Sequence, residues 1–208
     1  MRFFIRRDGS LVSTDEAYGW LETSQHLAEE SKYNEAVSEA LKALTWFQAA
    51  GPSAADEDGL MKCHAGEGAS FSQIASICAV CENWAEAARY FQKARDAWMK
   101  SWEYEEEPLS SVNAGQSTNM TCLNLALAAG HLKKYEESIQ LADGALSFFE
   151  ETEDISNQIQ ALRISAGSNA ALGNKERATE KYRSAARLAR KIGDTRLEKV
   201  IDSQLKRV

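Results

Sequence analysis

A spacing of small residues that returns four times constrains this chain more than any other feature. After a short turn stands Ala36, Ala87, Ser138 or Ala178, closing the segments 32–36, 83–87, 134–138 and 174–178. Seven residues later each is followed by an alanine, Ala43, Ala94, Ala145 or Ala185, and four residues later by Ala40, Phe91, Ala142 or Tyr182. Positions four and seven apart share one face of an α-helix, so each segment predicts a helix with a narrow stripe of mostly small side chains. Twelve residues upstream of each anchor stand Ser24, Ala75, Ala126 and Ala166, with Trp20, Phe71, Cys122 and Leu162 four residues earlier still. The same logic predicts a helix there. Small residues mark where two helices come closest and large ones fill the gap beside them, which makes each pair an antiparallel helical hairpin.

With prolines only at Pro52 and Pro108, little of the chain is barred from helix. The arrangement of tryptophan, small, small, aromatic and alanine resembles the tetratricopeptide repeat (TPR) family over roughly 17–193, and the set Trp20, Tyr33, Ala36 and Ala43 is its best match. The family's closing proline is absent from every repeat. The anchors lie 51, 51 and 40 residues apart, against roughly 34 in the standard repeat. The segments 51–56 and 105–111, rich in Gly, Pro, Ser and charge, are the expected insertions. Extended repeats with Leu123-Asn124-Leu125-Ala126 in a first helix and 188–194 after a second are similar to the kinesin light chain type.

The resemblance implies an all-α fold, a right-handed α-solenoid of about four TPR-like hairpins at 17–50, 58–103, 112–150 and 155–193 within a solenoid spanning 14–194. Leu197, Val200, Ile201 and Leu205 follow helical spacing, so 195–208 is expected to be a capping helix. An Asp8-Gly9 turn between short β-prone runs predicts a β-hairpin over 1–13, which must pack on something to persist.

A chain of 208 residues with 44% hydrophobic and 26% charged residues is long enough to bury a core. Its apolar runs, such as 74–80, are too short to cross a bilayer, and its start lacks the apolar centre of a secretory signal. The four cysteines, Cys63, Cys78, Cys81 and Cys122, suit free thiols in a reducing compartment, so a cytoplasmic location is expected and no membrane association. Residues 174–208 hold eleven Lys and Arg against five Asp and Glu, net +6, which leaves −13 of the total −7 on the rest. An acidic body argues against nucleic acid as partner.

No phosphate-cradling glycine loop, H-E-x-x-H or G-x-S-x-G pattern occurs, and His26, His64 and His131 stand far apart in sequence. No enzyme activity, cofactor or metal is expected. Cys78 and Cys81 make a C-x-x-C pair, yet it lies inside an apolar helical stretch with no second pair, so packing thiols are the simpler reading than zinc. Arg183, Arg187, Arg190 and Lys191 cluster on the last repeat, either as an ion-paired exterior with Glu176 and Glu180 or as a site for an acidic partner.

In the family that the repeats resemble, the first helices of successive hairpins line a concave groove. Carried onto this sequence, that implies a partner-binding set of Tyr18, Leu21 and Gln25; Ser72, Gln73 and Ser76; Asn119, Met120, Leu123 and Asn124; and Gln160, Arg163 and Gly167. Amides there satisfy the backbone of an extended peptide, while Leu21, Met120 and Leu123 would receive apolar anchors. The clamp of cations by which some members hold acidic chaperone tails has no counterpart: its positions hold Leu21, Gln25, Gln73, Met120 and Asn124. The expectation is an adaptor or scaffold that binds a peptide segment or helix of another protein. Two alternatives stay open: a chaperone or assembly factor burying Trp98, Trp102, Phe148 and Phe149 against a client or a second copy, and a TPR regulator that senses a ligand or peptide.

Overall fold

The structure is a computed structural model that describes residues 12–54, 56–104 and 113–208. Among these, nine α-helices follow one another: α1 (Thr14–Glu29), α2 (Tyr33–Ala50), α3 (Glu57–Val80), α4 (Trp84–Glu103), α5 (Ala114–His131), α6 (Tyr135–Glu151), α7 (Ile155–Ala171), α8 (Lys175–Lys191) and α9 (Thr195–Leu205). A 3-10 turn, Gly51–Ser53, follows α2, and no strand occurs among the described residues. The all-α class expected from the sequence is the class observed. The hairpin expected over 1–13 falls, but for its last two residues, outside the described residues, as does the whole 105–111 insertion.

Helix starts other than those of α2, α6 and α8 are set by side chains that accept the otherwise unpaired first amides. Ser13 and Glu16 form a reciprocal capping box at α1, the Glu16 amide donating to Ser13 Oγ (3.3 Å) and the Ser13 amide to Glu16 Oε2 (2.9 Å). Asp56, Asp154 and Asp194 accept in the same way from the amides of Gly59, Asn157 and Leu197.

The ends of α1, α3, α5, α6, α7 and α8 follow one rule. Six turns place a residue in the left-handed region directly after the C-cap: Ser31, Glu82, Lys133, Glu153, Gly173 and Gly193. Each of these amides bonds back to the third carbonyl before it, as Lys133 does to Gly130 (3.0 Å). The next amide reaches the fifth carbonyl before it, as Lys134 does to Ala129 (2.9 Å). This is the Schellman closure, and it consumes the last free carbonyls with main-chain atoms alone.

The longer repeats arise from both helix length and connections. α3 has 24 residues and α4 has 20, whereas α7 and α8 have 17 each and are joined by a tight turn.

The chain divides into two compact units, Met1–Thr121 and Cys122–Val208. In the first, Ala17, Ala43, Trp46 and Phe47 form one buried cluster, and Ala40, Leu44, Phe71, Ile74, Ala94 and Ala97 another. The anchors Ala36 and Ala87 are fully buried, and the Ser24 hydroxyl donates to the Ala36 carbonyl (2.7 Å), fixing α1 on α2 at the predicted closest contact. Two glycines of α3 serve the same end: Phe47 of α2 lies over Gly66, and Trp98 of α4 over Gly68.

In the second unit, Leu123, Ala145, Phe149 and Ala161 pack together. Ile159, Leu162, Ala166, Tyr182, Ala185, Ala186, Ala189 and Ile201 form the neighbouring core. Ile201 of α9 is completely enclosed there. Two buried polar side chains are paired across helices: Ser168 donates to Ser138 (2.8 Å), and the Gln158 amide to the Phe149 carbonyl (2.7 Å). Phe149, one of the aromatics expected at the surface, is 0% exposed and belongs to this core, while Phe148 beside it is half-buried.

Candidate functional site

The second unit contains a cleft of about 440 Å³, a volume in the range of small-ligand sites. Five elements build it. α5 brings Ala126, Leu127, Gly130 and His131; α6 brings Tyr135 and Ser138; α7 brings Gln160, Arg163, Ile164, Gly167 and Ser168; α8 brings Tyr182 and α9 Gln204. α7 positions its set because the opposite faces of that helix are taken up by the cores on either side, leaving the 160–163–167 row along the opening. Leu127 is 43% exposed, an apolar surface with polar neighbours.

The polar geometry is fixed by second partners. Arg163 is half-buried and its Nε donates to Gln204 Oε1 of α9 (3.1 Å), so the capping helix orients the guanidinium. Burial pushes the Tyr182 phenol up, and the Arg163 charge opposes that shift, which places the two groups within each other's field. Tyr182 reaches the cleft over Gly167, where an added Cβ would lie 3.5 Å from the Tyr182 hydroxyl.

Of the residues implied by the resemblance, the structure brings Gln160, Arg163 and Gly167 together in this cleft. Sequence reasoning did not name Leu127, His131, Tyr135 or Gln204 as site residues, because the α5 face continues one turn beyond Asn124 and α9 was read only as a cap. A legible signal existed in the pair Gly167 and Tyr182, a missing side chain matched to an oversized one at a position that is alanine in two other repeats.

The other implied residues fare differently. Leu123, expected to receive an apolar anchor, is 3% exposed and packs on Ala145, Phe149 and Ala161, so it is core and offers a partner no surface. The helical face rotates by about 100° per residue, and Leu123 falls on the inward side of that face. Asn124 and Met120 are exposed, and Asn119 spends its amide on the Gly115 carbonyl (2.9 Å).

In the first unit, Tyr18 lines a recess with Ser13, Asp15, Lys62, Trp98 and Asn113. Its hydroxyl donates to the Lys62 carbonyl (3.3 Å), and burial pushes its phenol up to about 12. Leu21 is half-buried against both hydrophobic clusters. Gln25 is exposed and donates to Glu29, Ser76 is exposed and donates to the Ser72 carbonyl, Ser72 accepts from the Trp98 indole, and Gln73 is half-buried.

The basic cluster on α8 lines a groove in which acidic residues alternate with it: Glu176, Glu180 and Asp202 stand among Arg183, Arg187 and Arg190. Arg190 forks onto Glu198 of α9 (Nε to Oε1, 2.9 Å), and Arg187 donates to Ser184. All four cysteines are free thiols, and burial raises the pKa of Cys63 and Cys78, which keeps both as neutral thiols. Among the described residues no three His, Cys, Asp or Glu side chains converge as a metal site would require, and no helix is long and apolar enough to cross a membrane.

No protein-family model matches the sequence, and no curated protein matches it significantly. Solved structures do match. The apo form of RapI superposes with a TM-score of 0.73 at 17% identity, covering 96% of this chain and 72% of that one. Aspartyl phosphate phosphatase F from Bacillus subtilis superposes with a TM-score of 0.70 at 19% identity, covering 94% of this chain and 45% of that one. The chain thus spans less than half the length of the second. Both neighbours are helical-repeat proteins of the tetratricopeptide type, and likeness at these identities establishes that this chain has their all-α solenoid fold.

Proposed function

We propose that this chain is a non-catalytic module, an adaptor or scaffold, that holds a peptide segment or helix of another protein. The site is the face presented by α5, α7 and α9, centred on the cleft with Gln160, Arg163 and Gly167. The observation that supports this is the cleft itself: exposed apolar Leu127 lines it together with polar side chains from α7, α8 and α9, of which Arg163 is held in place by Gln204, which is what an extended peptide with one apolar side chain needs. The reading takes the protein to be cytoplasmic, with no cofactor, and takes its repeats as extended ones of the kinesin light chain type.

The test is a Gly167→Leu variant. The added side chain grows into the cleft past the Tyr182 hydroxyl without breaking α7. Capture of peptides from a displayed random library should fall at least tenfold, with helical content and melting unchanged; undiminished capture would sink the proposal. One neighbour is named for aspartyl phosphate phosphatase activity, so hydrolysis of acetyl phosphate by the purified chain would overturn the non-catalytic part.

A second reading, an assembly factor that closes on a client or a second copy, is supported by Met99 and Trp102, both exposed on α4. Light scattering of the purified chain discriminates it, since a stable dimer weakened by Trp102→Ser would favour that reading over the first.

A further inference from the structure

The chemistry of the cleft is one-sided. Not one of its lining residues is an aspartate or glutamate, in a chain with 31 acidic residues against 24 Lys and Arg. Arg163 is half-buried, and among the described residues no carboxylate pairs with it; its one hydrogen bond is the Nε contact to the neutral amide of Gln204. A partly desolvated cation without a counter-ion is costly, and an anion arriving at it relieves that cost. With Nε held by Gln204, the two terminal nitrogens of the guanidinium remain, spaced to meet both oxygens of one carboxylate. The Tyr182 hydroxyl and the Gln160 amide, one of whose hydrogens goes to Asn157 (3.2 Å), line the same cleft and can donate as well.

We infer that Arg163, oriented by Gln204 of α9, is a carboxylate-binding subsite, so that the bound peptide presents a free C-terminus or an acidic side chain at the middle of the cleft. This rests on the peptide-binding reading and adds a chemical class to it. It also gives α9 a part in recognition. The single cation differs from a multi-lysine clamp: one carboxylate is read, and the adjoining Leu127 and Ile164 read an apolar neighbour.

Three random heptapeptide pools test it against the immobilised full chain. One has free C-termini and no Asp or Glu, one has amidated C-termini with Asp and Glu, and one is amidated without Asp or Glu. The chain should retain the first or the second at least tenfold over the third, and which of the two is retained identifies the source of the carboxylate. Arg163→Gln should reduce that preference to near unity, Arg163→Lys should keep part of it, and Gln204→Ala should weaken it, each with unchanged helical content. Equal retention of all three pools overturns the carboxylate subsite and leaves peptide binding standing. Retention of none overturns both, and so does capture that Gly167→Leu leaves intact. A preference that survives in Arg163→Gln removes Arg163 from the role.

Discussion

The ring of Phe47 occupies the space that a side chain at Gly66 would need: a Cβ built there would come within 2.4 Å of three ring carbons. Phe47 is completely enclosed and touches Tyr18 and Trp46 edge-on, so the ring has nowhere to move. Gly66→Ala is therefore expected to destabilise the first unit by about 1–3 kcal/mol despite the better helix propensity of alanine. Gly144→Ala in α6 meets nothing within 4 Å and should stabilise instead, by about 0.5–1 kcal/mol. Chemical denaturation of the two variants side by side checks both signs.

Non-glycine residues hold the left-handed position of four turns, at a local cost of about 1–2 kcal/mol each. Lys133→Gly and Glu153→Gly should each raise stability by about 0.5–1 kcal/mol, the remainder being lost to the freer unfolded chain. Gly173→Ala should lower it by a similar amount. Melting temperatures rising in the first two and falling in the third are the expected readout; the reverse order would contradict the turn assignment.

The Tyr18 phenol titrates near 10 in the unfolded chain and near 12 in the folded one because burial disfavours its charged form. The folded state thus holds a proton that the unfolded state has lost, and stability present below pH 10 should disappear as the pH rises to about 12, on the order of 2 kcal/mol. Tyr182 is shifted in the same direction. Melting curves from pH 9 to 12 should fall less steeply for Tyr18→Phe than for the parent chain.

Ile201 seals the core of the second unit beside Leu162 and Tyr182. Ile201→Ala should cost about 2–5 kcal/mol. Because α9 also holds Arg163 through Gln204, the same change should weaken carboxylate preference without touching a lining residue, which hydrogen exchange across α9 and peptide retention measured together would reveal.

The helices were legible because the interfaces are made by the very residues whose spacing announced them. Ser24, Ala36, Ala75, Ala87, Ala126, Ser138, Ala166 and Ala178 are all fully buried. A small residue at a helix crossing is dictated by backbone distance, so it shows through any change in the rest of the sequence. The cleft was only partly legible for the opposite reason. Arg163 reads as an ordinary surface cation until Gln204, 41 residues away, is seen beside it, and Leu123 and Leu127 look alike in sequence although one is core and the other surface. Phe149 misled in the same way, since adjacent phenylalanines at 148 and 149 must face in different directions and sequence alone does not say which turns inward.

The six Schellman turns reverse the chain with amide and carbonyl groups that every residue but proline possesses. Serine, glutamate, lysine and glycine all stand at one geometric position. Such corners take their hydrogen bonds from the main chain, so a substitution there changes stability by a modest step while the path of the chain stays where it was. A protein assembled this way can share nearly its whole backbone with RapI and keep fewer than one residue in five in common.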